Sequence, residues 1–142
     1  MEAPRLGVVL DAGAVIALFR DEPCAARVDR LLRDAHARMT TVNAVEVVDV
    51  LVRVYAWKAD DVVAAVEDLL STITDPVTPS VERSTRAGEL RARHFDRRRG
   101  RLSLADCFAL ASAEAGDTLV TTDGTLAAAA RDEDVDVILL GE

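Results

Sequence analysis

Four acidic residues, Asp11, Glu46, Asp106 and Asp123, each fall where the sequence predicts a strand to end or a helix to begin. In an open parallel α/β sheet those places gather along one edge, where ligands bind, so residues far apart in the chain meet there. Two carboxylates about 4 Å apart repel by roughly 4 kcal/mol at an effective dielectric near 20, so such a cluster calls for a cation or a proton. Oxygen-only ligation suits a hard divalent ion. Mg²⁺ keeps several waters and takes one or two carboxylates with a substrate phosphate, and Mn²⁺ accepts the same donors. Zinc is disfavoured, because neither His36 nor His94 stands at ligand spacing from a Cys or an acid. A carboxylate-held ion with bound water suits phosphodiester cleavage: it neutralises phosphate charge, helps generate hydroxide and stabilises the leaving oxygen.

Each acid also has a plain structural use. Asp11 can cap a helix, Asn43 with Glu46 and Ser103 with Asp106 have capping-box spacing, and Asp123 precedes a glycine as turn residues do. Singly these uses suffice; gathered on one sheet edge, the same residues point to a metal site. Rival chemistries lack their motifs, since the chain has no G-x-G-x-x-G, no G-x-x-x-x-G-K-[ST] and no G-x-S-x-G. Aspartyl phosphotransfer at Asp11 fares no better, because Asp11-Ala12-Gly13 is not D-x-D and no Lys occupies a late strand end.

The elements that must hold these residues are legible in the apolar pattern. Leu6-Gly7-Val8-Val9-Leu10 is a continuous apolar run of the kind a parallel sheet buries on both faces. Ala14, Val15, Ala17 and Leu18 suggest a helix after it, and Pro23 suits the first turn of another through Val28, Leu31 and Leu32. A brief strand is predicted over 38–42, and Asn43 is a good N-cap for a helix through Val47, Val50, Leu51 and Val54. A further helix carries Val62, Val66, Leu69 and Leu70, and 72–77, around Pro76, reads as an edge strand. The pattern over 79–99 is helical and highly charged, with Gly100 ending it. Ser103 caps a helix through Leu104, Phe108 and Ala111 that Gly116 closes. A strand over 118–122, the turn Asp123-Gly124, a short helix over 125–130 and a strand over 135–140 complete the chain. Strand and helix alternate, which argues α/β.

The composition sets the frame. At 142 residues, half of them apolar, one domain with a sizeable core is expected, and no internal repeat or linker divides it. Lys and Arg number 17 against 25 Asp and Glu, a formal charge of -8 that disfavours indiscriminate binding to nucleic acid or anionic membrane. Any nucleic-acid contact must be local or metal-assisted. Cys24 and Cys107 form no C-x-x-C pair and fit a reducing, cytoplasmic setting, and no segment approaches the ~20 apolar residues of a membrane span.

With these residues in place, the chain resembles the PIN-domain ribonucleases, and among them the toxin members of VapBC-type toxin–antitoxin pairs. Val8-Val9-Leu10-Asp11-Ala12 with Ala14 to Phe19 is similar to the family's opening motif, and Arg20-Asp21-Glu22-Pro23 to the segment that follows. Thr41-Val42-Asn43-Ala44-Val45-Glu46-Val47 resembles the second motif, Leu102-Ser103-Leu104-Ala105-Asp106 the third, and Val120-Thr121-Thr122-Asp123 the fourth. The resemblance covers nearly the whole chain. It implies a three-layer α/β/α fold around a central, mainly parallel sheet, with residues 1–142 as a single PIN domain. It also implies an endoribonuclease dependent on Mg²⁺ or Mn²⁺, acting on tRNA, rRNA or mRNA, forming a homodimer and inhibited by a cognate antitoxin. One departure stands out: the family's small toxins often carry Ser or Thr where this chain has Gly13.

The expected roles follow from the four placements. Asp11 and Asp106 hold the metal most directly, Asp123 completes the shell, and Glu46 orients the attacking water. Asp49, one helical turn beyond Glu46, faces the same way but has the spacing of an ordinary solvated helix charge. Thr122 is a candidate for RNA contact, weighed against the β-propensity that often places Thr at strand ends; Thr121 is assigned no role. Arg91, Arg93, Arg97, Arg98, Arg99 and Arg101 form a basic stretch upstream of Asp106. Such a run is usually a solvated helix face, but guanidinium groups bind phosphate bidentately, so Arg97, Arg98 and Arg99 are RNA-binding candidates. Two rivals remain: a non-catalytic interaction module in which the acids are only caps, and a housekeeping RNA-processing nuclease.

Overall fold

The computed structural model describes residues 5–96 and 100–141. Five strands form one parallel sheet in the order β3-β2-β1-β4-β5. They are β1 (Gly7–Leu10), β2 (His36–Thr40), β3 (Asp75–Val77), β4 (Thr118–Thr121) and β5 (Asp136–Leu139). The helices among the described residues are α1 (Ala12–Phe19), α2 (Ala25–Asp34), α3 (Thr41–Asp49), α4 (Ala59–Asp68), α5 (Val81–His94), α6 (Leu104–Ala111) and α7 (Gly124–Asp132). Wide π-type turns, Val50–Val54 and Leu69–Ile73, extend α3 and α4.

Two-residue alternation along the central strand builds the layers. Val8 and Leu10 point into a core with Val15, Val28, Val47 and Val62, contributed by α1 to α4. Val9 points the other way, into a core with Leu90, Cys107 and Leu126 from α5, α6 and α7. The result is the expected α/β/α sandwich, with β1 covered on both faces. Among the described residues no helix is long and apolar enough to cross a membrane.

The chain walks from β1 out to β3, then returns to β4 on the opposite side of β1. The strand order therefore reverses between β1 and β4, and the crevice beyond their C-terminal ends is where such sheets bind ligands. At the opposite edge the first residue of β1 is a glycine for a steric reason. A Cβ on Gly7 would collide with Asp117 Oδ1, and that carboxylate is the partner of Arg38, which reaches across from β2. Arg38 also donates to Ser112 O at 3.3 Å, so the strand-start edge is tied by a nearly buried ion pair.

Several boundaries differ from expectation. β2 ends at Thr40, and residues 41–42 open α3, because Thr40 rather than Asn43 is the N-cap: its hydroxyl accepts the Asn43 N–H at 3.0 Å. The capping box expected of Asn43 with Glu46 is therefore absent, and Glu46 sits in the second turn of α3. α5 stops at His94 instead of running to Gly100, since Phe95 turns to extended backbone. α6 ends at Ala111, before the left-handed Gly116. The Ser103–Asp106 capping box is present as expected.

Candidate functional site: an acidic edge at the sheet's switch point

Asp11 follows β1 and caps α1, with Oδ1 accepting the Ala14 N–H at 2.8 Å. It is only 2 % exposed. Burial pushes its carboxyl up to about 7; the bonds from Thr121 and Ala14 oppose that rise, and the charges of Asp106 and Glu46 add to it. Asp11 Oδ2 accepts the Thr121 hydroxyl, while Thr121 Oγ1 accepts the Asp123 N–H at 2.9 Å. One buried hydroxyl thus spans the switch point and fixes two of the acids. Thr121 lies next to Asp11 because β1 and β4 pair in register, Leu10 against Val120.

Asp123 caps α7, its Oδ1 accepting the N–H groups of Thr125 at 2.8 Å and Leu126 at 3.4 Å. Asp106 is held by the capping box: Oδ2 accepts the Ser103 N–H at 3.0 Å, and Ser103 Oγ accepts the Asp106 N–H at 3.0 Å. Burial, then the charge of Asp123, raises the Asp106 carboxyl. Glu46 arrives from the other face of the sheet. Asn43, fully buried, donates through Nδ2 to Ala105 O at 3.2 Å and locks α3 against α6, one helical turn from Glu46 and one residue from Asp106. Burial raises the Glu46 carboxyl too, followed by the charges of Asp106, Asp49 and Asp123.

All four acids therefore lie in one electrostatic neighbourhood, and three of them are caps as well. The cap and the cluster are one design. Capping commits Asp123 Oδ1 and Asp106 Oδ2, while Asp123 Oδ2 and Asp106 Oδ1 accept no bond from the described residues. Among the described residues no three His, Cys, Asp or Glu side chains converge closely enough to hold an ion alone. Such a donor set fits a divalent ion that keeps several waters and takes one or two carboxylates directly.

The other candidates separate. Thr122 is exposed, and its Oγ1 fills the space that a Cβ on Gly13 would need, with Asp11 Oδ1 3.5 Å from that point. The hydroxyl missing at position 13 is matched by one from the neighbouring strand end. Asp49 turns to Arg53, with two bonds of 2.9 Å that hold its carboxyl below the usual range. Arg93 binds Glu133 and Glu89, and Arg91 Nε donates to Leu102 O at 3.2 Å. Arg97, Arg98 and Arg99 lie outside the described residues. Thr121 and Asn43 are the site residues that sequence reasoning missed as such. The only signal in the sequence is that each is a polar residue within three positions of a motif acid.

Residues 8–132 match the family model of the PIN domain. The chain belongs to the PIN-domain family. No curated protein matches this PIN domain in sequence. Among solved structures, the fold is similar to Mycobacterium tuberculosis VapC20, a sarcin–ricin loop cleaving toxin, at TM-score 0.67 and 22% identity over 86% of this chain and 94% of that one. It is similar to DNA-bound VapBC from Salmonella typhimurium at TM-score 0.66 and 15% identity, over 94% of this chain and 97% of that one. FitAcB from Neisseria gonorrhoeae matches at TM-score 0.62 and 18% identity, over 92% of this chain and 96% of that one.

Proposed function

We propose that this PIN domain, with residues 1–142 acting as one unit, is a divalent-metal-dependent endoribonuclease and the toxin of a toxin–antitoxin pair. The observation that carries the reading is the set of desolvated acids at the β1/β4 switch point, three with raised carboxyls and no cationic partner among the described residues. Structural caps alone do not need four mutually repelling charges. Asp11, Asp106 and Asp123 would hold Mg²⁺ or Mn²⁺, one or two of them directly and the rest through its waters, and the bound ion would neutralise phosphate charge and acidify water.

The chain's own groups do the rest. Glu46, half-buried with a raised carboxyl, orients the attacking water and takes its proton as the water oxygen bonds to phosphorus and the ribose oxygen leaves. Thr121 keeps Asp11 and Asp123 in fixed relation through the turnover. Thr122, exposed beside Asp11, donates its hydroxyl to a phosphate oxygen of the RNA. The fold neighbours, a toxin that cleaves the sarcin–ricin loop and VapBC from Salmonella typhimurium, support RNA as substrate and a cognate antitoxin as partner; the homodimer is proposed from the motif resemblance alone.

The test is cleavage of a tRNA and rRNA panel by purified protein with Mg²⁺ or Mn²⁺, with chelator, and after Asp106→Asn. Metal-dependent cuts that fall at least about a hundred-fold in the variant are expected, the scale of losing one electrostatic contact to the transition state. Equal cleavage by the variant would remove the assignment.

A further inference from the structure

A cleft of about 590 Å³ opens between the C-terminal end of α5 and the first turns of α7 and runs up to Asp123. Arg93, His94, Phe95, Gly124, Thr125 and Ala128 are among its walls. That volume lies in the range of small-molecule sites. Gly100, at φ +137°, lays its bare Cα against the Thr125 side chain and brings the chain back onto α7 at the mouth of the cleft.

Among the described residues the positive charge beside this cleft is already paired, and the carboxylates of Asp96, Asp123 and Asp132 also line it. Arg86 and Arg93 bind Glu89 and Glu133 at 2.5 to 3.0 Å, and His94 Nε2 meets Glu133 at 2.7 Å. Little positive charge among the described residues of this wall is left for a phosphate. Beside these charges, Phe95 and Ala128 give the described lining an aromatic and a small apolar surface. Phe95 also borders a second cleft with Arg91 and Ser103, and the Arg91 guanidinium stands 4.7 Å from the ring centroid. Arg91 lines the second cleft and not the first, while Phe95 lines both.

An aromatic ring beside a guanidinium, in a cleft whose described basic groups are paired and whose other charges are acidic, suits a flat, neutral, polarisable group better than a phosphate. We propose that this cleft seats the RNA nucleobase adjoining the scissile phosphodiester, stacked on Phe95, and so helps select the cleavage site. The inference rests on the nuclease reading and adds to it the side of the carboxylates on which a base is read.

The experiment measures binding of a fluorescein-labelled single-stranded RNA spanning a mapped cut, and of the same RNA with an abasic nucleotide at either side of the cut. The protein is the non-cleaving Asp106→Asn form, alone and combined with Phe95→Leu or Phe95→Tyr. Loss of one stacked base is expected to weaken binding about 5- to 140-fold. An abasic nucleotide at one side of the cut should weaken binding to the Phe95 protein by that factor, with no further loss from Phe95→Leu, while Phe95→Tyr keeps full affinity for the intact RNA. The abasic arm needs no mutation at Phe95 and so stands even if Phe95→Leu unfolds. Equal weakening of intact and abasic RNA by Phe95→Leu, or none, would overturn the cleft assignment and leave the nuclease reading intact. If the unmutated protein cuts no RNA with either metal, that reading falls and takes this one with it.

Discussion

Position 13 and position 122 compete for one space. Gly13 leaves room for the Thr122 hydroxyl beside Asp11, and any side chain on residue 13 must evict it. Gly13→Ser alone should therefore overfill the site and slow cleavage, Thr122→Gly alone should empty it, and the double variant should recover part of the loss. A double-mutant cycle on cleavage rate reads this directly; additive effects would mean that the two residues act separately. This coupling was not legible in sequence, where Gly13 registers only as a missing hydroxyl. Thr121 escaped for a related reason: β-propensity explains a strand-end Thr well enough, and only the β1/β4 register brings its hydroxyl to Asp11. The motif acids themselves were legible because each follows a strong apolar run or a cap signal.

At the scale of elements, tertiary contacts overrode local pattern where α5 ends. Helical, charged composition continues past His94, but Glu133, from the turn after α7, binds His94, Arg93 and Arg86 at once and pins the end of α5. The His94 bond first, then Arg93, holds the Glu133 carboxyl down at about 2. A depressed carboxyl stabilises the fold above its ordinary value of 4.5 and loses that contribution as pH falls from 4.5 toward 2. Glu133→Gln should accordingly lower the Tm at pH 7, with the gap to the parent closing between pH 4.5 and 2; a gap that stays constant across that window would refute it. A similar override moved the cap of α3. Asn43 carries the stronger cap signal, yet it is spent inside the helix, fully buried, on Ala105 of α6. Sequence shows which residues like to cap, while the packing partner that claims one of them lies 62 positions away.

Across the whole molecule, charge is arranged by sheet edge. Where the strands begin, Arg38 answers Asp117; where they end, Asp11, Glu46, Asp106 and Asp123 face one another without such an answer among the described residues. The three-layer architecture was readable from the apolar runs, because strands buried on both faces and alternating with helices leave few other arrangements. Which edge carries the unanswered charge depends on the turns and caps joining those runs. That asymmetry makes the protein a gauge of its ionic surroundings. With the Asp11 carboxyl raised to about 7, the fold without metal should weaken as pH rises from about 4 to 7 and this carboxyl is forced to ionise. A cation that binds only the folded chain reverses the loss, by about 2.7 kcal/mol at a hundred times its Kd. Thermal unfolding at pH 7.5 should therefore move upward with added Mg²⁺, and Asp11→Asn should start higher and move less. A Tm indifferent to Mg²⁺ in both proteins would contradict this. The cofactor proposed for turnover is then also a ligand of folding: a cell that runs short of divalent cation would not merely idle this protein but thin its folded population.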